Sequence, residues 1–233
     1  MMADSRPRID NAVALNAYNA LYVEVPKVAC SSIKIALARL LSVDLSPVGG
    51  NPHEAAFPEP PDPVAGPKAY PGTFSFAFIR NPWDRLVSCY RDKILGQAPD
   101  FTNFHPARGV AYCLARFDVF KAGMPFDHFV EAVADIPDTD ADGHFRSQHT
   151  FVSNGSGDIV LDFVGRFESL QTDFHAVCMK LGIAPMDLPR VQVTEPRARY
   201  TEYYIPRVRD LAADRFRLDL ELFGYQFGEA TTV

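Results

Sequence analysis

The sequence lacks both an excess of positive charge and any long apolar run. Its 233 residues include 23 Lys and Arg against 29 Asp and Glu, which gives a formal net charge of −6. This balance makes the chain a poor candidate for non-specific nucleic-acid binding, so we expect no nucleic-acid partner. No apolar stretch approaches the ~18 residues of a spanning helix, so we also expect no integral membrane segment. Apolar (47%) and charged (22%) contents near the average exclude disordered and fibrous classes and predict a soluble protein.

Cysteine is also scarce, and its spacing carries no motif. The sequence has no CxxC pair and no run of Cys and His at metal-ligand spacing, so we expect neither a zinc site nor a disulfide framework. Reduced thiols fit a reducing compartment, and the polar first ten residues are not followed by a signal-type apolar core. The sequence therefore predicts a cytoplasmic protein. The four cysteines are Cys30, Cys89, Cys113 and Cys178.

Two strand-to-helix units define the fold class. Residues 21–25 predict a strand and 33–41 a helix, while residues 73–79 predict a buried strand. A second helix is expected from Pro82 to about Leu95, with Asn81 as its N-cap. Further helices are expected at 110–122, 126–134, 168–181 and 206–222, and a strand at 159–164. This alternation predicts an α/β fold, a parallel sheet flanked by helices.

Eight prolines recur between residues 47 and 72. Proline fixes φ and removes a backbone donor, so this stretch is excluded as a helix or a central strand. We expect a long surface loop at 47–72 within a single domain that covers residues 1–233. A loop of this length inside a compact domain is usually functional or mobile.

The segment Pro26–Ser32 lies between the predicted first strand and first helix, where α/β proteins bind anions. Backbone N–H groups and the positive end of the helix attract an anion there. Lys27 adds a charge, and Ser31 and Ser32 add hydroxyl donors. Taken alone, the segment also fits a capped helix with an incidental lysine.

Two familiar phosphate loops are excluded by the residues of this segment. The loop has no glycine and therefore differs from the GxxxxGK[ST] loop of nucleoside triphosphatases. A cysteine phosphatase loop that starts at Cys30 would need arginine at position 36, which is Ala36.

Arg80 ends the second predicted strand, and Ser88 lies two turns into the helix that follows. A guanidinium beside a hydroxyl suits a phosphate, because guanidinium binds its oxygens bidentately. Arg85 is expected to be a surface charge on the same helix. Anion sites at the ends of two strands predict a ligand with two separate phosphates.

Several segments in sequence order resemble the carbohydrate sulfotransferase family. Residues 25–34 (VPKVACSSIK) are similar to its 5′-phosphosulfate loop, and residues 78–93 (FIRNPWDRLVSCYRDK) to its 3′-phosphate motif. Residues 144–148 (HFRSQ) match the place of its HWxxQ element, with Phe in place of Trp, and residues 162–168 (DFVGRFE) follow as they do in the family. The resemblance runs from about residue 21 to 227.

The resemblance implies a P-loop-like α/β fold and 3′-phosphoadenosine 5′-phosphosulfate (PAPS) as the sulfuryl donor. Lys27 would stabilise charge on the leaving oxygen, and Arg80 and Ser88 would bind the 3′-phosphate. His144, at the position of the family's histidine, would be the base that takes the acceptor's proton. No metal is required. The residues implied to hold the 5′-phosphosulfate are Lys27, Val28, Ala29, Cys30, Ser31 and Ser32.

Alternatives remain open for the base and for the function. His53, His105, His149 or a glutamate would replace His144 as the base. The leading hypothesis is a PAPS-dependent sulfotransferase that acts on a hydroxyl of a carbohydrate. A divergent P-loop kinase of nucleotides or small molecules is the first alternative, and a non-catalytic nucleotide- or glycan-binding protein is the second. The 47–72 loop and residues 98–125 are candidates for the acceptor surface.

Overall fold

The computed structural model describes residues 12–62, 70–96, 103–191 and 199–229. These residues contain four strands, β1 (Ala12–Leu15), β2 (Ala20–Val23), β3 (Phe74–Ile79) and β4 (Phe163–Arg166). They also contain eight α-helices, α1 (Cys30–Leu41), α2 (Pro82–Lys93), α3 (Tyr112–Ala115), α4 (Phe126–Ala134), α5 (His149–Val152), α6 (Leu170–Lys180), α7 (Pro206–Arg215) and α8 (Arg217–Phe223). No helix of the described residues combines the length and apolarity needed to cross a bilayer.

The chain divides into two compact units, each built from separate stretches of sequence. The first unit holds the described residues up to Arg80 together with Gln148–Val191, and the second holds the described residues of Asn81–Ser147 and of Gln192–Glu229. The expectation of one domain over residues 1–233 stays a prediction.

A four-stranded sheet in the order β1-β2-β3-β4 forms the first unit. The predicted parallel α/β sheet is confirmed for β2, β3 and β4, which pair in parallel. The unpredicted strand β1 pairs antiparallel to β2 through a tight connection that ends at Asn19, whose φ is +48°. The sequence does not predict β1, because four apolar residues followed by Asn-Ala-Tyr-Asn form no clear strand pattern.

Aromatic rings fill the core of the first unit beside the sheet. All of β2 is buried, and the rings of Tyr22, Phe76 and Phe78 follow one another at 5.4 and 6.3 Å between centroids. Phe78 also contacts Phe174 of α6, at 6.4 Å between centroids. This packing fixes the position of β3 in the core and therefore the point at which the strand ends.

The fourth strand begins later than the sequence predicted. The expected strand at 159–164 is corrected to 163–166, because Ile159 forms only an isolated bridge with Ser153. Asp162 then accepts hydrogen bonds from the backbone N and Oγ of Ser75, both at 2.8 Å. These bonds join the start of β4 to β3.

The proline-rich loop has the predicted character where it is described. It contains a short 3-10 turn at Ser46–Val48, and Ala14 N of β1 donates to Pro58 O at 2.8 Å. Asn51 Oδ1 accepts from His53 N at 3.0 Å, which fixes the local turn. Residues 63–69 of this loop, and residues 98–102 of the predicted acceptor region, lie outside the described residues.

Helices α2, α4 and α7 enclose the apolar core of the second unit. Asn81 is the N-cap of α2 as predicted, since its side chain accepts from Trp83 N at 3.1 Å. The helix predicted at 110–122 is wrong beyond α3, because the chain leaves the helix so that Phe117 and Phe120 both pack against Phe145. The helix predicted at 206–222 is divided into α7 and α8 at Phe216, which is buried.

Gly165 of β4 gives a test of the core packing. A Cβ at this position would lie 2.5 Å from Cε1 of Phe78, whose ring is fully buried. We expect Gly165→Ala to lower the free energy of unfolding by about 1–3 kcal/mol, as overpacked cores do, measured by urea denaturation. In a double-mutant cycle, Phe78→Leu should relieve part of this penalty. Additive effects of the two substitutions would contradict the close contact.

Candidate functional site

The loop that follows β2 has the geometry of an anion-binding turn at a helix N-terminus. Glu24, Val25 and Pro26 are buried, and the chain then emerges at half-buried Lys27. The hydrogen bonds of α1 begin with Ile33 N donating to Ala29 O at 3.0 Å. The amides of the first helical turn precede this bond, and such N–H groups carry the positive end of the helix dipole.

Two residues of this loop adopt left-handed backbone conformations without being glycine. Lys27 has a φ of +70° and Ala29 a φ of +52°. Each such residue costs on the order of 1 kcal/mol or more, and strain of this kind is concentrated at binding and catalytic sites. Residues with side chains thus adopt a backbone conformation that glycine usually provides. This explains why the loop has no glycine-rich motif.

Arg80, at the end of β3, lies against the same loop. Its side chain is buried, and Nη1 donates to the carbonyl oxygen of Lys27 at 3.2 Å. The guanidinium carbon lies 4.1 Å from the centroid of the Phe167 ring. The two segments that the sequence assigned to two phosphates therefore contact each other within the first unit.

Gln148 holds the backbone of Arg80 from both sides. Its Oε1 accepts from Arg80 N at 2.9 Å, and its Nε2 donates to Arg80 O at 2.8 Å. The glutamine is completely buried. The sequence places Gln148 in the same short element as His144 but does not indicate its role, because the pairing joins residues 68 positions apart.

A chain of polar side chains extends from Ser31 into the interior of the first unit. Ser31 Oγ lies 2.8 Å from Nε2 of His53, and His53 Nδ1 lies 3.6 Å from a carboxylate oxygen of Glu24. Glu24 also forms an ion pair with Lys34 at 2.8 Å. The proline-rich loop thus brings a histidine, one of the alternative bases, to the predicted phosphosulfate loop.

Cys30 is not poised as a nucleophile. Burial, with a further contribution from the nearby Glu24 carboxylate, raises the pKa of Cys30 to about 11. The residue is therefore a neutral thiol at neutral pH, whereas nucleophilic cysteines are thiolates. This agrees with the absence of the phosphatase arginine at Ala36.

His144 lies in the second unit, paired with Asp142. Its Nδ1 is 2.6 Å from Asp142 Oδ1, which also accepts from His144 N at 3.0 Å. Burial alone would raise the pKa of Asp142, but the hydrogen bonds from His144 outweigh it and lower that pKa. A neutral ring that donates Nδ1–H to this carboxylate carries its lone pair on Nε2, which is the arrangement a general base requires.

Arg85 is not the surface charge that the sequence predicted. It is buried on α2 and donates to the carbonyls of Gly143 (2.7 Å) and Arg146 (2.8 Å), on either side of His144. Burial lowers the pKa of Arg85 to about 10, so it stays charged at neutral pH. Arg85 thereby fixes the segment that carries His144, a contact that helical periodicity could not reveal.

The predicted site residues are divided between the two units. Lys27, Val28, Ala29, Cys30, Ser31, Ser32 and Arg80 all belong to the first unit. Ser88, half-buried on α2, belongs with His144 to the second. The roles of Ser88 at a 3′-phosphate and of His144 as the base stay predictions.

The fold and the first unit together define the class of P-loop-like α/β proteins. Parallel strands β2 and β3 end at a basic loop and at a buried arginine that contact one another. Residues 10–226 match the profile described as the sulfotransferase family. The chain therefore belongs to the sulfotransferase family.

Curated relatives support the same placement at modest identity. The chain is 26% identical to carbohydrate sulfotransferase 14 of Danio rerio over 231 residues, which cover 91% of this chain and 61% of the relative. It is 28% identical to carbohydrate sulfotransferase 8 of Mus musculus over 234 residues, which cover 89% of this chain and 54% of the relative. The chain thus spans about three fifths or less of the length of these relatives. No solved structure matches it significantly.

The pairing of Gln148 with Arg80 can be tested with Gln148→Met, which keeps the side-chain length and removes both hydrogen bonds. Buried backbone groups left unpaired cost about 1–3 kcal/mol each, so stability should fall. The position of Arg80 should also be lost, and we expect calorimetry to show at least about tenfold weaker binding of adenosine 3′,5′-bisphosphate.

Gln171→Met is the matched control, because Gln171 also bonds two backbone groups, Leu188 N and Met186 O. It should lower stability without weakening nucleotide binding. Equal losses of affinity in both variants would show that Gln148 acts only through stability.

Proposed function

We propose that the protein is a PAPS-dependent sulfotransferase that transfers the sulfuryl group to a hydroxyl of a carbohydrate. The observation that carries this proposal is the contact between the guanidinium of Arg80 and the carbonyl of Lys27. The contact brings the loop that we propose for the 5′-phosphosulfate against the arginine that we propose for the 3′-phosphate, and PAPS bears both groups. Family membership and the names of the relatives support the reaction and the acceptor class.

The transfer is an in-line displacement at sulfur. The acceptor oxygen forms a bond to sulfur while the bond from sulfur to the bridging oxygen breaks, and that oxygen leaves with adenosine 3′,5′-bisphosphate. Lys27 and the amides at the start of α1 stabilise the charge that develops on the leaving oxygen. Arg80 anchors the nucleotide by its 3′-phosphate. Binding of this remote phosphate orients the reacting phosphosulfate group.

A histidine accepts the proton of the acceptor hydroxyl in this mechanism, and two of the candidate bases, His53 and His144, lie beside carboxylates. His144 is hydrogen-bonded to Asp142 at 2.6 Å and matches the position of the family's histidine. His53 is 2.8 Å from Ser31 of the phosphosulfate loop itself. We propose His144 as the base and assign His53 to holding the hydroxyl of Ser31.

The kinase alternative finds less support in the described residues. A kinase needs carboxylates that hold Mg²⁺ beside the phosphates. Glu24, which follows β2, is already paired with Lys34, and Asp162 accepts from Ser75 N and Oγ. We also propose a cytoplasmic location, which rests on the spacing of the cysteines and on the polar residues near the start of the sequence.

Nucleotide selectivity tests the donor site. Calorimetry should show binding of adenosine 3′,5′-bisphosphate without Mg²⁺ and much weaker binding of 5′-AMP. Arg80→Ala should weaken the bisphosphate by about 10- to 100-fold, because a charge-assisted hydrogen bond is lost, and change 5′-AMP little. Arg39→Ala, an exposed charge on α1, is the control. Preference for ATP with Mg²⁺ would overturn the proposal and favour the kinase.

Comparison of His144→Ala with His53→Ala tests the assignment of the base. Loss of the base should lower kcat by about 10²- to 10⁴-fold with little change in the Kd of the bisphosphate. It should also abolish the fall in rate at low pH, since the base acts only when unprotonated. We expect this result for His144→Ala, and for His53→Ala a weaker affinity for the donor. The reverse pattern would make His53 the base, and no loss of turnover in either would point to His105, His149 or a glutamate.

A further inference from the structure

Cys113, Asp142 and His144 form a cluster of metal-type ligands in the second unit. One ligand atom of each residue lies within 4.8 Å of the others, and all three side chains are half-buried. The cysteine is on α3 and the other two residues precede Phe145, some 30 positions away in the sequence. No spacing rule could detect this set, which is why the sequence predicts no zinc site.

We propose that this cluster binds Zn²⁺. A thiolate, an imidazole and a carboxylate are the three side-chain ligands that zinc takes in proteins, and three of them leave a fourth position open to water. On binding, Zn²⁺ replaces the thiol proton of Cys113, which passes to solvent, and the sulfur becomes a thiolate ligand. No oxidant or reductant is involved.

The backbone around each ligand is already held in place. Arg85 donates to the carbonyls of Gly143 and Arg146 and so fixes the segment around His144. Ala111 N donates to Lys93 O at 2.9 Å, which ties the start of α3 to the end of α2. A metal ion therefore meets ligands on supported segments, and the side chain of His144, 28% exposed, leaves an entry path.

A second set, Glu24, Cys30 and His53, also has metal-type ligands within reach of one another. Its carboxylate already pairs with the ammonium of Lys34 at 2.8 Å, so a cation would have to displace a buried ion pair. In the proposed site the carboxylate of Asp142 pairs with His144, itself a zinc ligand, so both residues can turn to the metal together. The nearby Lys93 is paired with Asp92 at 3.1 Å. These charges favour the Cys113 set.

The proposed site has a consequence for catalysis, which rests on the proposed function. Zinc and an acceptor's proton compete for the lone pair of His144. Zn²⁺ should therefore inhibit turnover reversibly while the affinity for adenosine 3′,5′-bisphosphate stays unchanged. The cluster would make the sulfotransferase sensitive to free zinc.

Titration with Co²⁺, a spectroscopic substitute for zinc, tests the site without requiring any activity. The intact protein should show a thiolate-to-cobalt charge-transfer band that Zn²⁺ abolishes by displacement. Cys113→Ser should remove the band, and Asp142→Asn and His144→Ala should weaken Co²⁺ binding at least about tenfold. Cys30→Ser, which alters the rival cluster, is the matched control and should leave the band intact.

Each contrary outcome is distinct. A band lost in Cys30→Ser and kept in Cys113→Ser would move the metal to the Glu24 cluster and overturn the proposal. Absence of any saturable band in the intact protein would also overturn it. A cooperative thermal unfolding transition shows that each variant is folded, and failure of adenosine 3′,5′-bisphosphate to bind the intact protein would count against the proposed function rather than against the zinc site.

Discussion

The candidate site of the first unit depends on the buried guanidinium of Arg80, which donates to the backbone carbonyl of Lys27. Removing the charge of Arg80 from water is costly unless other groups replace the lost hydration. The carbonyl of Lys27 and the face of Phe167 supply part of that replacement, and the amide of Gln148 fixes the backbone on which the guanidinium is carried. A positive group held in this way at the ends of parallel strands is suited to an anion, and the strained loop beside it presents further donors.

Two candidate bases, His53 and His144, each lie beside a carboxylate. His53 Nδ1 lies 3.6 Å from buried Glu24, and His144 Nδ1 lies within hydrogen-bond distance of half-buried Asp142, at 2.6 Å. The pairs differ in what lies next to the ring. Ser31, of the loop that follows β2, is beside His53, whereas Cys113 is beside His144. This difference underlies the assignment of one histidine to donor binding and of the other to proton transfer and metal binding.

Buried arginines shape the second unit as well. Arg85 stays charged in the interior because two carbonyls accept its hydrogen bonds, and Arg215 pairs with Asp138 at 2.6 Å while it also donates to Ser147 Oγ. Burial raises the pKa of Asp138 by itself, yet the hydrogen bonds from Arg215 and Ser147 lower it overall. Both arginines fix the segment that carries His144, so its position depends on charges that are rarely buried without partners.

The sequence by itself determined the elements whose causes are local. Strands β2 and β3 were predicted from short apolar runs, and α2 from Asn81 and Pro82, because periodicity and capping act over a few residues. The order of the phosphate motifs was likewise visible, and it led to the correct family. Only the tertiary structure decided the rest. The hydrogen bond from Ala14 of β1 to Pro58 O joins residues far apart in sequence, and the end of α3 after Ala115 follows from packing against Phe145. Gln148 beneath Arg80, Arg85 beside His144 and Cys113 near Asp142 are contacts between residues far apart in sequence, which no pattern of neighbouring residues encodes.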